Sequence, residues 1–100
     1  MGRLDLAERL LANFELRFPK EIEQLEQYLA DQNAPRVALL AHQLKGASAN
    51  MSAPFLEQLL HEIEELARGN SLTDIQEKMC QLQIEWQRFV ECRQLTTTRP

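Results

Sequence analysis

From Leu6 onward the apolar side chains Leu10, Phe14, Phe18, Ile22, Leu25 and Leu29 follow one another at steps of three or four. A period near 3.6 places all of them along one side of a helix, whereas a strand would alternate at every second residue. The same spacing returns in Leu56, Leu59, Leu60, Ile63, Leu66 and Ala67, and again in Leu72, Ile75, Met79, Leu82, Trp86 and Phe89. No segment shows the β-branched alternation of strands, and only three glycines and four prolines punctuate the 100 residues. The chain is therefore expected to be all-α.

Punctuation sets the element boundaries. Proline removes a helix hydrogen bond and crowds the preceding turn, so Pro19 is expected to divide the first stripe into a short helix near residues 4–17 and a second at 19–31. A turn through residues 31–35 leads into a third helix ending at Asn50, with Val37, Leu40, Leu44, Ala47 and Met51 facing the core. Ser52 is expected to cap the next helix, and Gly69 to end it in a left-handed conformation. Ser71-Leu72-Thr73-Asp74 resembles a capping box with Asp in place of Glu and opens the last helix. Striped helices joined by short turns pack most economically as an antiparallel up-and-down four-helix bundle, here with a short additional N-terminal helix. The expected layout is a leader at residues 1–3, the bundle at 4–95 and a flexible tail at 96–100.

Composition narrows the function classes. Hydrophobic residues at 44% and charged residues at 26% describe an ordinary globular domain. A single domain this small has no room for a deep cleft and must act from its surface. The net charge is -4 and the eleven Lys and Arg are scattered, which disfavours nucleic acid as a partner. No apolar run approaches the roughly 18 to 20 residues of a membrane span, and no secretory signal pattern opens the chain, so a cytoplasmic domain without direct membrane contact is expected. Cys80 and Cys92 fall on one predicted helix roughly 18 Å apart at 1.5 Å per residue, too far to bridge, and read as free thiols. The aromatic and Met positions lie on the stripes and read as core, so no cofactor is expected.

One face departs from a purely structural pattern. His42 points about 160° away from both Leu40 and Leu44 at 100° per residue, so a buried stripe on this helix displays the imidazole to water. Lys45, Gly46 and Ala49 share that face at offsets of three, four and seven, with Ala38 one turn earlier. Glycine inside a helix costs about 1 kcal/mol relative to alanine, and an exposed position gives it no packing reason, so a partner is expected to come close there; the bland alternative is that small residues on a helix face mark a close helix crossing. An imidazole with an ordinary pKa of about 6.5 is substantially unprotonated and nucleophilic near neutrality. Lys45 can reach a phosphoryl group on that ring, and as a surface cation it is expected to tune transfer rather than to carry it. His61 lies off the stripe of its helix and reads as ordinary surface. No acidic cluster is seen beside His42 along the sequence, so any Mg²⁺ is expected in a partner and no metal site in this chain.

The run His42-Gln43-Leu44-Lys45-Gly46-Ala47-Ser48-Ala49-Asn50 resembles the signature of histidine phosphotransfer domains. The segment Phe14 to Leu29, with a proline after Phe18, and the run Ile63-Glu64-Glu65-Leu66-Ala67-Arg68 resemble further parts of that family. The resemblance implies a four-helix bundle with His42 as phospho-acceptor through Nε2, Lys45 near the phosphate, and Gly46 giving a receiver domain room. It also implies partners among the receiver domains of response regulators or hybrid kinases; Ala38, Gln43 and Ala49, around the displayed face, are expected to dock them. Such a chain is a phosphocarrier without an ATP site, read here as a monomeric module of a hybrid sensor kinase that can tether it to the inner membrane. One departure is Ser52, where the family usually has glycine; serine does not freely adopt left-handed backbone angles.

Two other functions fit the same helices. A docking platform would bind receivers without turnover of its histidine. The dimerisation and phosphoacceptor region of a sensor kinase typically has an acid after its histidine and a proline shortly downstream, whereas Gln43 follows here and no proline occurs before Pro54.

Overall fold

The computed structural model describes the backbone of residues 2–98 and the side chains of residue 6 and residues 8–92. Among these residues it has four helices and no strand: α1 (Gly2–Ala30), α2 (Ala34–Asn50), α3 (Pro54–Arg68) and α4 (Leu72–Thr98). Each helix packs on the next and α1 also meets α4, so the four form a bundle around the predicted stripes. Phe18, Leu25, Leu44, Leu60, Ile63, Ile75 and Leu82 are among the most deeply buried side chains.

The separate N-terminal helix is not formed: α1 runs unbroken through Pro19. Phe14, Phe18, Ile22 and Leu25 are all buried, and they keep one phase only if the helix continues. A proline inside a helix costs about 3 kcal/mol, whereas full burial of large apolar side chains returns about 1.5 to 3 kcal/mol each. Phe18 and Ile22 together therefore outweigh it. Pro19 itself is exposed, so the hydrogen bond it removes lies on the side that water can serve.

Helix length explains a second departure. At about 1.5 Å per residue, the 29 residues of α1 and 27 of α4 match the long dimension of 47 Å. The 17 residues of α2 and 15 of α3 cover only part of that length. Leu6 and Leu10, expected on the buried stripe, consequently stand exposed. At the other end α4 takes in Thr96, Thr97 and Thr98, which were expected in the tail. Gly2 and Arg3 of the expected leader belong to α1, while residues 1, 99 and 100 lie outside the described residues.

An aromatic cluster ties α1 to α4. Phe18 stacks on Trp86 with ring centroids 4.4 Å apart, and Phe14 meets the edges of Trp86 and Phe89 at 5.5 and 5.7 Å. A hydrogen bond from Gln83 Nε2 to Glu26 Oε2 at 2.6 Å joins the same two helices.

The three corners close in the same way. After α1 the amides of Gln32 and Asn33 bond to the carbonyls of Leu29 and Tyr28; after α2, Ser52 and Ala53 bond to Ala49 and Ser48; after α3, Asn70 and Ser71 bond to Ala67 and Leu66. This pair of bonds needs a left-handed residue, and Gln32, Ser52 and Asn70 supply it with φ of 57°, 55° and 59°. None is glycine. The expectation at Gly69 is thus corrected: its φ is -86° and Asn70 makes the turn one residue later. Ser52 does not cap α3 either, because it is committed to closing α2; Ala53 occupies the cap position without a side-chain bond.

Candidate functional site

Two sides of α2 are covered. Val37, Leu40 and Leu44 enter the core, while Ala38, Ala41 and Ser48 are also buried. Helix α2 packs most extensively on α3, and small side chains let two helices approach closely. Ala38, expected on the outward docking face, belongs to this crossing and is only 8% exposed. Gln43, Gly46 and Ala49 do face outward, and nothing lies within 4 Å of where a Cβ on Gly46 would stand. No internal packing therefore requires glycine there.

The close crossing brings three polar side chains, His42 and Lys45 of α2 and Arg68 of α3, onto a carboxylate that the sequence reading missed. Glu64 is buried, its side chain only 5% exposed, while that of His42 is 58% exposed. His42 Nδ1 lies 3.2 Å from Glu64 Oε2 and 3.4 Å from Oε1. Lys45 Nζ lies 2.8 Å from Oε1, and Arg68 reaches Oε2 through Nη2 at 2.6 Å and Nε at 3.0 Å. His61 is no isolated surface residue, because its Nδ1 stands 3.4 Å from Lys45 Nζ.

The charge state of Glu64 follows from these partners. Burial pushes its carboxyl up, but the hydrogen bonds from Lys45, Arg68 and His42 together prevail and hold it at about 2, below its ordinary 4.5. An ionised carboxylate offers only acceptors, so its bond with His42 requires the proton on Nδ1. That partner assigns the neutral tautomer: Nε2, on the ring edge remote from Glu64, keeps its lone pair. A buried carboxylate that fixes tautomer and orientation is the device by which the acid of a Ser-His-Asp triad serves its histidine. His42 thus displays to solvent, from α2, a ring whose Nε2 lone pair is free to act as a nucleophile.

The family model of the Hpt domain matches residues 9–92, a span that holds the whole cluster. The chain belongs to the Hpt domain family. Domains of this family are phosphocarriers of two-component phosphorelays that interact with receiver domains and have no ATP site of their own. No curated protein and no solved structure matches the chain. None of its helices is long and apolar enough to cross a membrane among the described residues.

Beside His42 lie two surface features that a partner could use. A groove of about 260 Å³ between α1 and α2 is lined by Leu10, Phe14, Gln43, Leu44, Ala47 and Met51 among others. Leu39, one turn before His42, is exposed. Of the expected docking residues only Gln43 lines the groove. No group of three or more His, Cys, Asp or Glu suited to a metal ion occurs among the described residues.

Glu64 was legible in principle. It stands four residues after Leu60 and three before Ala67, both core, so the pattern places a carboxylate on a buried stripe. Acids are almost never buried unless paired, and that conflict signals a partner on another helix.

Proposed function

We propose that His42 accepts a phosphoryl group on Nε2 from the aspartate of one receiver domain and passes it to that of another. The Nε2 lone pair attacks phosphorus, the P–N bond forms, the aspartyl P–O bond breaks, and the carboxylate leaves with its electron pair. Nδ1 keeps its proton throughout. The positive charge that develops on the ring then faces the Glu64 carboxylate, and a preorganised counter-charge in a partly dry site lowers the barrier to such a step. Return transfer reverses each movement. The observation that carries this reading is the contact between Glu64 and Nδ1 of an otherwise exposed ring.

Lys45 supports the reading as a mobile cation one turn from His42 that can turn from Glu64 to the phosphoryl group. Gly46 and Ala49 leave room for a receiver, while Leu39, Gln43 and the α1–α2 groove offer it apolar and polar contacts. The order of the contacts favours an antiparallel bundle, since 42 meets 64 while 45 meets 61. One chain supplies four packed helices without a second copy, which favours a monomer over a dimerising kinase region. In this reading the domain works in the cytoplasm as a module of a hybrid sensor kinase.

The test is label transfer. Incubation with a phosphorylated receiver and Mg²⁺ should place acid-labile, alkali-stable label on the domain, and His42→Gln should take up none. Label retained by the variant would refute the assignment.

A further inference from the structure

The three side chains on Glu64 do not share its carboxylate evenly. Oε1 takes Lys45, whereas Oε2 takes both bonds from Arg68 and is also the oxygen nearest His42 Nδ1. Arginine and histidine therefore meet on one atom. Arg68 rises from the last turn of α3, four residues after Glu64, where a cation is also favoured by the helix dipole. Its planar guanidinium fixes the direction of a carboxylate in a way that the point charge of an ammonium cannot.

We propose that Arg68 is a positioning residue for phosphoryl transfer: it holds Glu64 Oε2 against Nδ1 of His42 and keeps that carboxylate compensated when Lys45 moves to the phosphoryl group. The proposal rests on His42 being the acceptor. Lys45 has one ammonium, engaged on the α3 side with Glu64 and His61. A phosphoryl group on Nε2 competes for it. If Lys45 were the sole cation on Glu64, its departure would strand a buried charge, which is strongly unfavourable. Arg68 prevents that, and its side chain, 59% exposed at the rim, does so without being buried itself. Lys45 and Arg68 thus have separate tasks although they touch the same group. One is released; the other stays.

The experiment reads the ring directly in the unphosphorylated domain, by ¹⁵N chemical shifts of the His42 imidazole, alongside the titration of Glu64. The Nδ1-protonated tautomer should dominate in the parent protein. Arg68→Ala should shift the ring toward the Nε2-protonated form, raise the Glu64 carboxyl and slow phosphoryl acceptance roughly tenfold, the scale on which loss of a histidine's orienting partner acts. Arg68→Lys should keep Glu64 ionised and recover the tautomer only in part. Unchanged ¹⁵N shifts in Arg68→Ala would overturn the proposal, even with transfer intact. Absence of label on the parent protein would overturn the acceptor role of His42 instead, a result the ring measurement does not depend on.

Discussion

The seam between α1 and α4 and the seam between α2 and α3 solve opposite problems. The first is built mainly of stacked and edge-on rings, Phe14, Phe18, Trp86 and Phe89, and its chief requirement is shape. The second is lined by small residues and closes over a charge, Glu64, held by Lys45 and Arg68. Aromatic pairs add about 0.5 to 1.5 kcal/mol beyond their burial, whereas a buried ion pair can be roughly neutral for stability once desolvation is counted. One seam secures the fold, and the other gives packing area to orienting the exposed ring of His42.

Separate duties mean that substitutions should separate too. The largest effect on stability belongs to the aromatic seam: Phe18→Ala should cost about 3 to 5 kcal/mol, measured by urea unfolding, while label uptake per folded molecule stays at the parental level. A parallel fall in uptake would show that the seams are coupled.

Acid should find the other seam first. Glu64 titrates near 2 when folded and at its ordinary 4.5 when unfolded, so its contribution is fully present above pH 4.5 and is lost as the pH falls towards 2. A shift of that size corresponds to at most about 3 kcal/mol. Denaturation at stepped pH should show this loss, and Glu64→Gln should flatten it. An unchanged slope in the variant would place the acid sensitivity elsewhere.

The smallest effect divides stability from docking at a single position. Because open space surrounds Gly46, Gly46→Ala should gain about 1 kcal/mol and leave receiver binding intact. Gly46→Phe should keep the fold but weaken binding, as titration calorimetry against a receiver would register. Equal binding by both variants would remove the access role of Gly46.

The sequence disclosed the seams unequally. Apolar spacing marked Phe14, Phe18, Trp86 and Phe89 because a stripe is a local pattern, and it displayed His42 for the same reason. Pro19 misled because local cost was weighed without the burial gained on either side of it. Leu6 and Leu10 misled because spacing says nothing of how far the neighbouring helices reach. Ala38 and Glu64 are harder: which flank of α2 meets α3, and which acid meets His42, are facts about two helices at once. Only the oddity of a carboxylate on a core stripe hinted at it.

The corners carry a last consequence. With Gln32 and Ser52 each held in a conformation that costs an ordinary residue about 1 to 2 kcal/mol, the first two corners of this chain are expected to lean on the completed interior, whereas Asn70 tolerates its φ readily. Helical pairs excised around those two bends should straighten or fray, and assembly should be all-or-none rather than piecewise. A relay domain gains from that: its displayed ring is either fully presented or not presented at all.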